Sequence, residues 1–361
     1  MEPKRLYVDF HVLQTVPPSC VNRDDTGSPK TAVYGGTTRA RVSSQAWKRA
    51  MRLMFREGLL DSEQVGDRTK KIVGLVADEI EALAPGQDAK KMARDALSLA
   101  GLSKIKEDKE DADTLFFMSR AQARALAQLA VEGNNDKKAY KDALKAAPSV
   151  DMVLFGRMVA SDPSLNYDAA AQVAHSISTH AVQNEYDYFT AVDDCAPEDN
   201  AGAGHLGTVE YNSSTLYRYA TVNVKELEEQ LGGEAAPGVI RTFGEAFVRS
   251  MPTGKQNTFA NRTLPDAVYV TLRTDQPVNL CGAFEKAVPA TANGFVGPSK
   301  AALADYAQKV YTCYADAPLQ AFTVGEGLET LAPAQPLGRM LDALETAVRQ
   351  QLNAETGNEV E

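Results

Sequence analysis

The chain has 361 residues, of which 44% are hydrophobic, and a formal net charge of −10 at pH 7. This length and composition are typical of a globular protein with one large domain or two to three smaller ones, and they exclude a fibrous or largely disordered chain. Because no run of about 18 apolar residues is available to span a bilayer and the first residues lack a signal-peptide pattern, we expect a cytoplasmic protein without a membrane partner.

The first predicted element is a strand close to the start of the chain. Apolar side chains alternate along residues 7–13, which predicts a strand with one strongly apolar face. A loop rich in proline, glycine and aspartate follows. Ser43 or Ser44 is then expected to cap a helix that ends near Arg56.

This helix carries much of the positive charge of an acidic protein. Residues 1–56 contain ten Lys and Arg against four Asp and Glu, a local charge of +6, whereas the rest of the chain has a charge of −16. Like charges one helical turn apart repel by roughly a few tenths of a kcal/mol per pair, and no acidic residue lies at the spacing that would neutralise them. At about 100° per residue the polar face of the helix carries Gln45, Lys48, Arg49, Arg52 and Arg56.

A solvated surface is the commoner explanation of such a charged stripe, but solvated helices usually mix both signs. Arg39 and Arg41 precede the helix, and Ser43 and Ser44 add hydroxyl donors at its start. The pattern therefore favours contact with the phosphate groups of a nucleic acid.

Helical periodicity dominates the next part of the chain, and strands return after it. We predict helices at 68–83, 89–100, 119–131, 136–146 and 168–177, strand-like segments at 180–192 and 208–224, then a helix at 239–251, a strand at 267–273 and helices at 300–314 and 338–352. This order predicts an α+β fold in which a helical subdomain interrupts a sheet, and a β-α-β-β-α-β arrangement is one candidate for that sheet.

Two glycine-containing motifs are similar to nucleotide-binding signatures, but their context argues against that function. The G-x-G-x-x-G pattern at 202–207 follows acidic sequence and precedes a strand, whereas a dinucleotide-binding motif follows a strand and opens a helix. We interpret it as a flexible loop. PTGKQNT at 252–258 lacks two defining residues of a phosphate loop, since Arg249 and Gln256 stand in their places. Lys255 and Gln256 remain candidate polar contacts in a turn.

Candidate metal ligands are few. Asp24 and Asp25 are adjacent in the loop NRDDTG, where they could bind a divalent cation or, alternatively, form an Asx-type turn. No third acidic ligand or suitably spaced histidine accompanies them, and the four cysteines contain no C-x-x-C pair. We expect free thiols and no metal or other cofactor.

Several longer motifs, in order along the chain, resemble the CasC family, the backbone subunit of the type I-E Cascade, an RNA-guided CRISPR surveillance complex. The resemblance runs from the first strand to about Val288 and rests on long segments instead of one short pattern. The segments are PSCVNRDD (18–25), YGGTTRARVSSQAWKRAMR (34–52), FGRMVAS (155–161), AHSISTHAVQNEYDYFTAVDD (174–194), GAGHLGTVEYNSSTLYRYATVNV (202–224) and GAFEKAV (282–288).

The resemblance implies an α+β fold with an RRM-like (ferredoxin-like) palm, a large helical fingers insertion and a β-hairpin thumb. Copies of the chain would form a helical filament along the CRISPR guide RNA together with other Cascade subunits, and would present the guide for pairing with target DNA. The implied boundaries are palm 1–58, fingers 59–182, a palm strand at 183–192, thumb 193–223, the remaining palm at 224–352 and a polar tail at 353–361.

The same resemblance assigns residues to these roles. The guide contacts are Arg23, Lys30, Thr38, Arg39, Arg41, Ser43, Ser44, Gln45, Lys48, Arg49 and Arg52, with Arg157 and Met158 on the fingers side of the groove. The thumb residues are Cys195, Ala196, Pro197, His205 and Leu206.

We therefore expect a noncatalytic RNA-binding subunit. One alternative is a metal-dependent endonuclease that cuts target RNA with Asp24 or Asp25, because related backbone subunits of other CRISPR types use a loop aspartate in this way. Another alternative is a purely structural scaffold that contacts only protein.

Overall fold

The structure is a computed structural model that describes residues 5–102, 112, 114–191, 195 and 205–357. The chain forms two compact units. We call the first the sheet unit (Met1–Met51, Val173–Thr221 and Phe243–Glu361) and the second the helical unit (Arg52–Gln172 and Val222–Thr242). The helical unit thus starts before the fingers boundary expected at 59, ends before the one expected at 182, and gains a second segment.

The strands of the described residues are short except for two long ones that form the middle of the sheet. They are β1 (Tyr7–Ser19), β2 (Thr31–Tyr34), β3 (Thr37–Val42), β4 (Asp67–Thr69), β5 (Phe116–Met118), β6 (Ala171–Val173), β7 (Ser176–Ser178), β8 (Glu185–Ala191), β9 (His205–Asn223), β10 (Ala267–Arg273) and β11 (Gln320–Val324).

The helices lie between or after these strands along the chain, singly or in groups of two or three. They are α1 (Ser44–Met54), α2 (Ile72–Leu83), α3 (Ala89–Leu99), α4 (Arg120–Val131), α5 (Lys137–Lys145), α6 (Val150–Phe155), α7 (Val224–Leu231), α8 (Ala236–Arg249), α9 (Gln256–Phe259), α10 (Val296–Cys313) and α11 (Leu337–Gly357). None of the helices in the described residues is both long and apolar enough to cross a bilayer.

The helix predicted at 168–177 is wrong. This segment forms β6 and β7 instead, and β7 pairs with β9 in an antiparallel register that places Ile177 opposite Tyr217. Alanines at 169–171 favour a helix locally, but pairing with a long buried strand overrides that weak propensity. The β2–β3 hairpin, β11, α6 and α7 were not predicted, whereas the strand predicted at 267–273 is confirmed as β10.

The main sheet follows the order β11-β10-β1-β9-β7-β3-β2, and β6 and β8 also pair with β9. β1 pairs with β10 in an antiparallel register that places Phe10 opposite Val270. Both faces of β1 are buried. On one face Phe10 packs against Phe243 and Phe247, with ring centroids 5.5 and 6.1 Å away.

The other face of β1 carries a buried polar layer. Nδ1 of His11 lies 2.8 Å from the hydroxyl oxygen of Tyr217, and the Tyr219 hydroxyl donates to Oδ1 of Asp9 at 2.9 Å. The backbone N–H of Val278 donates to the other carboxylate oxygen of Asp9 at 2.8 Å. Burial raises the pKa of Asp9 to about 6 and lowers the pKa of His11 to about 3.

The helical unit has its own core. α2, α3, α4 and α5 pack together around apolar side chains that include Ile80, Leu97 and Leu126. Ser119 starts α4 with a capping box, in which its hydroxyl accepts from the backbone N–H of Gln122 and the Gln122 side chain accepts from the backbone N–H of Ser119. β4 and β5 form a separate antiparallel pair in this unit.

His11→Phe tests the buried polar layer through the pH dependence of stability. In the unfolded chain His11 takes up a proton below its ordinary pKa of 6.5, whereas the folded side chain stays neutral until about pH 3. This group therefore destabilises the folded state increasingly as the pH falls from 6.5 towards 3, by about 1.4 kcal/mol per pH unit. We expect urea unfolding to show that the variant gains stability relative to the wild type over that range.

Asp9→Asn is the matched control because its effect has the opposite sign. The folded Asp9 carboxyl is protonated at a higher pH than the unfolded one, so the wild-type chain gains stability from this group as the pH falls from about 6 to 3.8. The Asn variant should lose that gain. A stability difference between wild type and His11→Phe that does not change with pH would show that His11 is not held neutral.

Candidate nucleic-acid interface

The loop after β1 is shaped by Asp24. Its Oδ1 accepts hydrogen bonds from the backbone N–H groups of Thr26 and Ser28 at 2.9 and 3.0 Å and from the Thr26 hydroxyl at 2.7 Å. The Thr26 hydroxyl contributes most to lowering the pKa of Asp24. Asp24 therefore forms the Asx-type turn that the sequence leaves as one option. The backbones of Arg23 and Pro29 form an isolated antiparallel β-bridge across the loop.

The β2–β3 hairpin is fixed by Arg39, which is fully buried. Its guanidinium donates to the backbone oxygens of Ser178 and Phe284, both at 2.9 Å, and to that of Glu285 at 3.2 Å. Gly35 at the turn of the hairpin lies so close that an added Cβ would be 1.6 Å from the Glu285 oxygen. The donors of Arg39 are therefore used inside the fold, and its assignment to a guide contact stays a prediction.

Arg41 and Lys30 lie together at the surface of the sheet unit. Nε of Arg41 donates to the Thr31 carbonyl at 3.0 Å, and its Nη1 lies 3.1 Å from Nδ1 of His175. Burial first, then the charges of Arg41 and Lys30, lower the pKa of His175. A neutral His175 can accept from Arg41 and hold its guanidinium in place, a role that no sequence motif indicated.

The turn at 252–258 packs directly on the loop after β1, although the two segments are remote in sequence. An added Cβ on Gly254 would lie 2.0 Å from the backbone oxygen of Val21. Lys255 has a left-handed backbone with φ of +50° and precedes the short helix α9, which starts at Gln256. Burial raises the pKa of the Cys20 thiol, the charges of Arg23 and Lys255 lower it, and the charges of Asp24 and Glu210 raise it.

Helix α1 is joined to the same loop at its start. The backbone N–H of Ser43 donates to Oδ1 of Asn22 at 2.9 Å, and the Ser43 carbonyl and hydroxyl accept from the backbone N–H of Ala46. Ser43 is thus the cap, and Ser44 is the first helical residue. On the outer side Arg49 is exposed, and burial lowers the pKa of the half-buried Lys48.

The inner side of α1 is anchored by Trp47, which is fully buried. Its indole N–H donates to the Ser176 hydroxyl at 2.9 Å. The guanidinium carbon of Arg218 lies 3.7 Å from the Trp47 ring centroid and 4.7 Å from that of Phe247. Arg218 also donates to Oε1 of Gln14 at 2.6 Å and to the Phe247 carbonyl. These contacts determine which face of α1 is turned outward.

Arg52 belongs to the helical unit and is engaged there. Its Nε donates to Oδ2 of Asp151 at 2.7 Å, and its Nη2 donates to the Gly66 carbonyl at 3.0 Å. The Asp151 side chain is fully buried, while that of Arg52 is 20% exposed. Arg56 is similarly paired with Asp67 at 2.7 Å. Neither carboxylate lies at the helical spacing considered in the sequence, because Asp151 is 99 residues from Arg52 and Asp67 is 11 residues from Arg56.

Arg157 is also a structural residue of the helical unit. It is buried, and its guanidinium donates to the carbonyls of Leu165, Phe117 and Leu144 at 2.9, 3.1 and 2.9 Å. Burial lowers its pKa to about 10. As with Arg39, these donors are used inside the fold, and the assignment of Arg157 to a guide contact stays a prediction. The adjacent Met158 is 86% exposed.

β8 and β9 form an antiparallel hairpin in which Tyr188 lies opposite Thr208 and Phe189 opposite Gly207. Gly207 is therefore in a strand instead of the flexible loop expected, and the Phe189 ring lies over its Cα. Tyr186, Tyr188 and Leu206 are 65%, 64% and 55% exposed. Of the other residues expected in the thumb, Cys195 is exposed and His205 starts β9, while Ala196 and Pro197 lie outside the described residues, as do Gly202 and Gly204.

Pairing with acids separates the cations into two classes. In the described part of the chain, ion pairs engage cations such as Lys141 with Asp162 and Arg349 with Glu345, both within 2.8 Å. The cations at the surface of the sheet unit near these loops have no carboxylate within ion-pair distance among the described residues. They are Arg23, Lys30, Arg41, Arg49 and Lys255.

The remaining residues assigned from sequence are distributed as follows. Thr38 and Gln45 are exposed, Ser44 and Gln256 are half-buried, and the Ser43 side chain is buried. These five residues all lie in the sheet unit. All four cysteines are free thiols. No group of three or more His, Cys, Asp or Glu is arranged to hold a metal ion within the residues that the structure describes.

Residues 8–348 match the family model described as CT1975-like protein. The chain belongs to this family. Two solved structures are similar to this CT1975-like chain over nearly its whole length. A chain of a "CRISPR RNA-guided surveillance complex, pre-nicking" is 33% identical with a TM-score of 0.78, and the match covers 95% of this chain and 100% of that one.

A chain of a "CRISPR RNA-guided surveillance complex" is 30% identical with a TM-score of 0.62, and the match covers 94% of this chain and 99% of that one. The comparison with curated proteins gave no match. The mixed α/β architecture, with an antiparallel sheet and many helices, is therefore shared with components of CRISPR surveillance complexes.

Arg52→Ala and Arg49→Ala form a matched pair, because each removes one arginine from the same helix. Loss of Arg52 leaves the buried Asp151 carboxylate without its cation and should lower the free energy of unfolding by about 3 kcal/mol. Loss of the exposed Arg49 should change it by less than about 0.5 kcal/mol. Urea or thermal unfolding measures both, and equal stabilities of the two variants would contradict the structural role of Arg52.

Proposed function

We propose that this chain is a guide-RNA-binding backbone subunit of a CRISPR surveillance complex of the type I-E Cascade kind. The observation that carries the proposal is a group of cations that have no carboxylate partner among the described residues. They lie on four segments of the sheet unit, which are the loop that follows β1, strand β3, the outer side of α1 and the turn at 252–258. An acidic protein in which these five cations find no carboxylate partner among the described residues gains from a polyanion at this surface.

The chemistry of this surface suits a strand of any sequence. Lysine and arginine contact phosphates, which position a nucleic acid without reading its bases. A subunit that carries many different guides needs such a contact, because the guide bases must stay available for pairing with target DNA. The exposed hydroxyl of Thr38 and the amide of Gln45 add neutral donors to the same unit.

In this proposal the sheet unit is the RRM-like palm, the helical unit is the fingers, and the β8–β9 hairpin is the base of the thumb. Copies of the chain line up along the guide RNA with other subunits of the complex in the cytoplasm. The exposed Met158 and the exposed tyrosines of the hairpin are apolar contacts for the nucleic acid or for the next copy. The similarity to chains of RNA-guided surveillance complexes supports this arrangement.

The proposed subunit is noncatalytic. The Asp24 carboxylate already accepts three hydrogen bonds within its own turn, which favours a structural role over metal binding. Asp25 is exposed and remains the residue that an RNA-cutting alternative would require.

Arg49→Ala tests the phosphate contacts. We expect weaker binding to single-stranded RNA of every sequence, and a slope of log K against log salt that falls in magnitude by about 0.7 for the lost contact. Fluorescence anisotropy over a salt series measures both quantities. Arg349→Ala, which removes an arginine already paired with Glu345, is the control and should leave the slope unchanged. An Arg49 variant with the wild-type slope would show that this side chain does not contact phosphate.

Incubation of the assembled complex with magnesium and RNA complementary to its guide tests the noncatalytic assignment. We expect the RNA to stay intact on a denaturing gel, with Asp25→Asn indistinguishable from wild type. Regularly spaced cuts that disappear in Asp25→Asn would establish the endonuclease alternative instead.

A further inference from the structure

A small notch in the sheet unit lies between the loop after β1, strand β3 and strand β9. Its volume is about 20 Å³, which holds roughly one water-sized group. Its walls are apolar where Val16, Val42 and Leu216 approach. The polar residues that line it are Ser19, Asn22, Lys30, Arg41, Asn212 and Ser214.

One side of the notch offers a hydrogen-bond donor. The Oδ1 atom of Asn22 already accepts from the backbone N–H of Ser43 at 2.9 Å, which fixes the orientation of the amide. The Asn22 Nδ2 group therefore keeps its two N–H donors, and it has no partner among the described residues.

The other side offers acceptors. Nδ2 of Asn212 donates to Oδ1 of Asn184 at 3.0 Å, and Nδ2 of Asn184 donates to Glu210 at 3.2 Å, so the direction of this chain is fixed by the carboxylate. The Oδ1 atom of Asn212 is left as an acceptor. The nearby hydroxyl of Ser214, on a residue only 6% exposed, also has no partner among the described residues.

Size and polarity together define the group that fits. A nucleobase is several times too large for a space that holds one water. A phosphate oxygen is a poor match, because it carries no proton for the Asn212 acceptor. A hydroxyl group both donates and accepts, which matches the Asn22 donor and the Asn212 acceptor that line the notch.

The charges beside the notch identify the molecule that carries this hydroxyl. Lys30 and Arg41 line the notch and are half-exposed, while Asn212 and Ser214 are buried, so the cations reach solvent at its mouth. A hydroxyl flanked by two anions along one strand is the pattern of a ribose between its phosphates.

We propose that the notch binds a ribose 2′-hydroxyl of the RNA strand while Lys30 and Arg41 hold the adjoining phosphates, an inference that rests on the proposed function. The 2′-hydroxyl is the group that distinguishes RNA from DNA. The notch would therefore make this subunit selective for an RNA guide over single-stranded DNA of the same sequence, although its phosphate contacts do not discriminate between them.

The first experiment compares four strands of one sequence on the wild-type chain by fluorescence anisotropy at low salt: ribose, 2′-deoxy, 2′-fluoro and 2′-O-methyl. Each hydrogen bond lost from the notch should weaken binding by about threefold to tenfold, so the ribose strand should bind most tightly. The 2′-fluoro strand keeps an RNA-like sugar but cannot donate, and should bind like the deoxy strand. The 2′-O-methyl strand is too large for the notch and should bind most weakly.

The second experiment fills the notch with Ser214→Val, which suits a strand and changes neither cation. This variant should bind the ribose strand as weakly as wild type binds the deoxy strand, and its affinity for the deoxy strand should be unchanged. Ser213→Val is the matched control, because Ser213 is adjacent on β9 but exposed on the opposite face, and it should behave as wild type.

The outcomes separate this inference from the proposed function. Equal affinity for ribose and deoxy strands, or a 2′-fluoro strand that binds as tightly as ribose, would overturn the 2′-hydroxyl site while leaving phosphate binding intact. A Ser214→Val variant that weakens both strands equally would place a phosphate in the notch instead. Failure of every strand to bind would overturn the proposed function itself. If Ser214→Val does not fold, the four-strand series on wild type decides alone.

Discussion

The guanidinium group of Arg218 is enclosed between the rings of Trp47 and Phe247, and the cationic surface of the sheet unit depends on this contact. No carboxylate pairs with Arg218 among the described residues, and burial lowers its pKa to about 9. Ring faces, the Gln14 amide oxygen and a backbone carbonyl replace water around the charge. Because Trp47 is on α1, the stacking of Arg218 against its ring fixes the rotation of that helix about its axis and turns Arg49 towards solvent.

The same chemistry distinguishes two groups of arginines among those that the structure describes without a carboxylate partner. Arg39, Arg157 and Arg218 are buried, and each binds carbonyl oxygens from separate segments of chain. A planar group with five N–H donors is suited to this task, since it can satisfy several backbone acceptors at once. Arg23 and Arg49 have the same side chain but are exposed, with no carboxylate partner in the part of the chain that the structure describes. A basic residue in the sequence is therefore not by itself evidence of an exposed cationic surface, because some arginines link segments inside the fold.

Much of the fold follows from periodicity in the sequence. The strand at β10 and the long helices of the helical unit carry local patterns of apolar residues strong enough to identify them. The local pattern of the segment at 171–178 is misleading, because its alanines favour a helix and only pairing with β9 makes it extended. The β2–β3 hairpin was missed as well, although Gly35 and Gly36, both with positive φ, form its two-residue turn.

The candidate site could be predicted only in part, for a physical reason. A helical wheel shows which cations share a face, but it cannot show whether an acid from elsewhere reaches them. Arg52 and Arg49 look equivalent in sequence, and a carboxylate 99 residues away separates their roles. Asn22, His175 and Asn212 were missed for the related reason that each acts through a neighbour that is remote in the chain.

The pairing of β1 with β10 has a consequence for biosynthesis. Tyr7 pairs with Arg273, so a ribosome must make most of the protein before the first strand meets one of its two neighbours. During that interval the apolar side chains of Val8, Phe10 and Val12 lack their final cover, and a strand edge in this condition readily joins another nascent chain. The intervening segment 52–172 carries most of a separate core and can form earlier. The order of translation thus leaves the sheet that holds the basic surface among the last parts of the molecule to close.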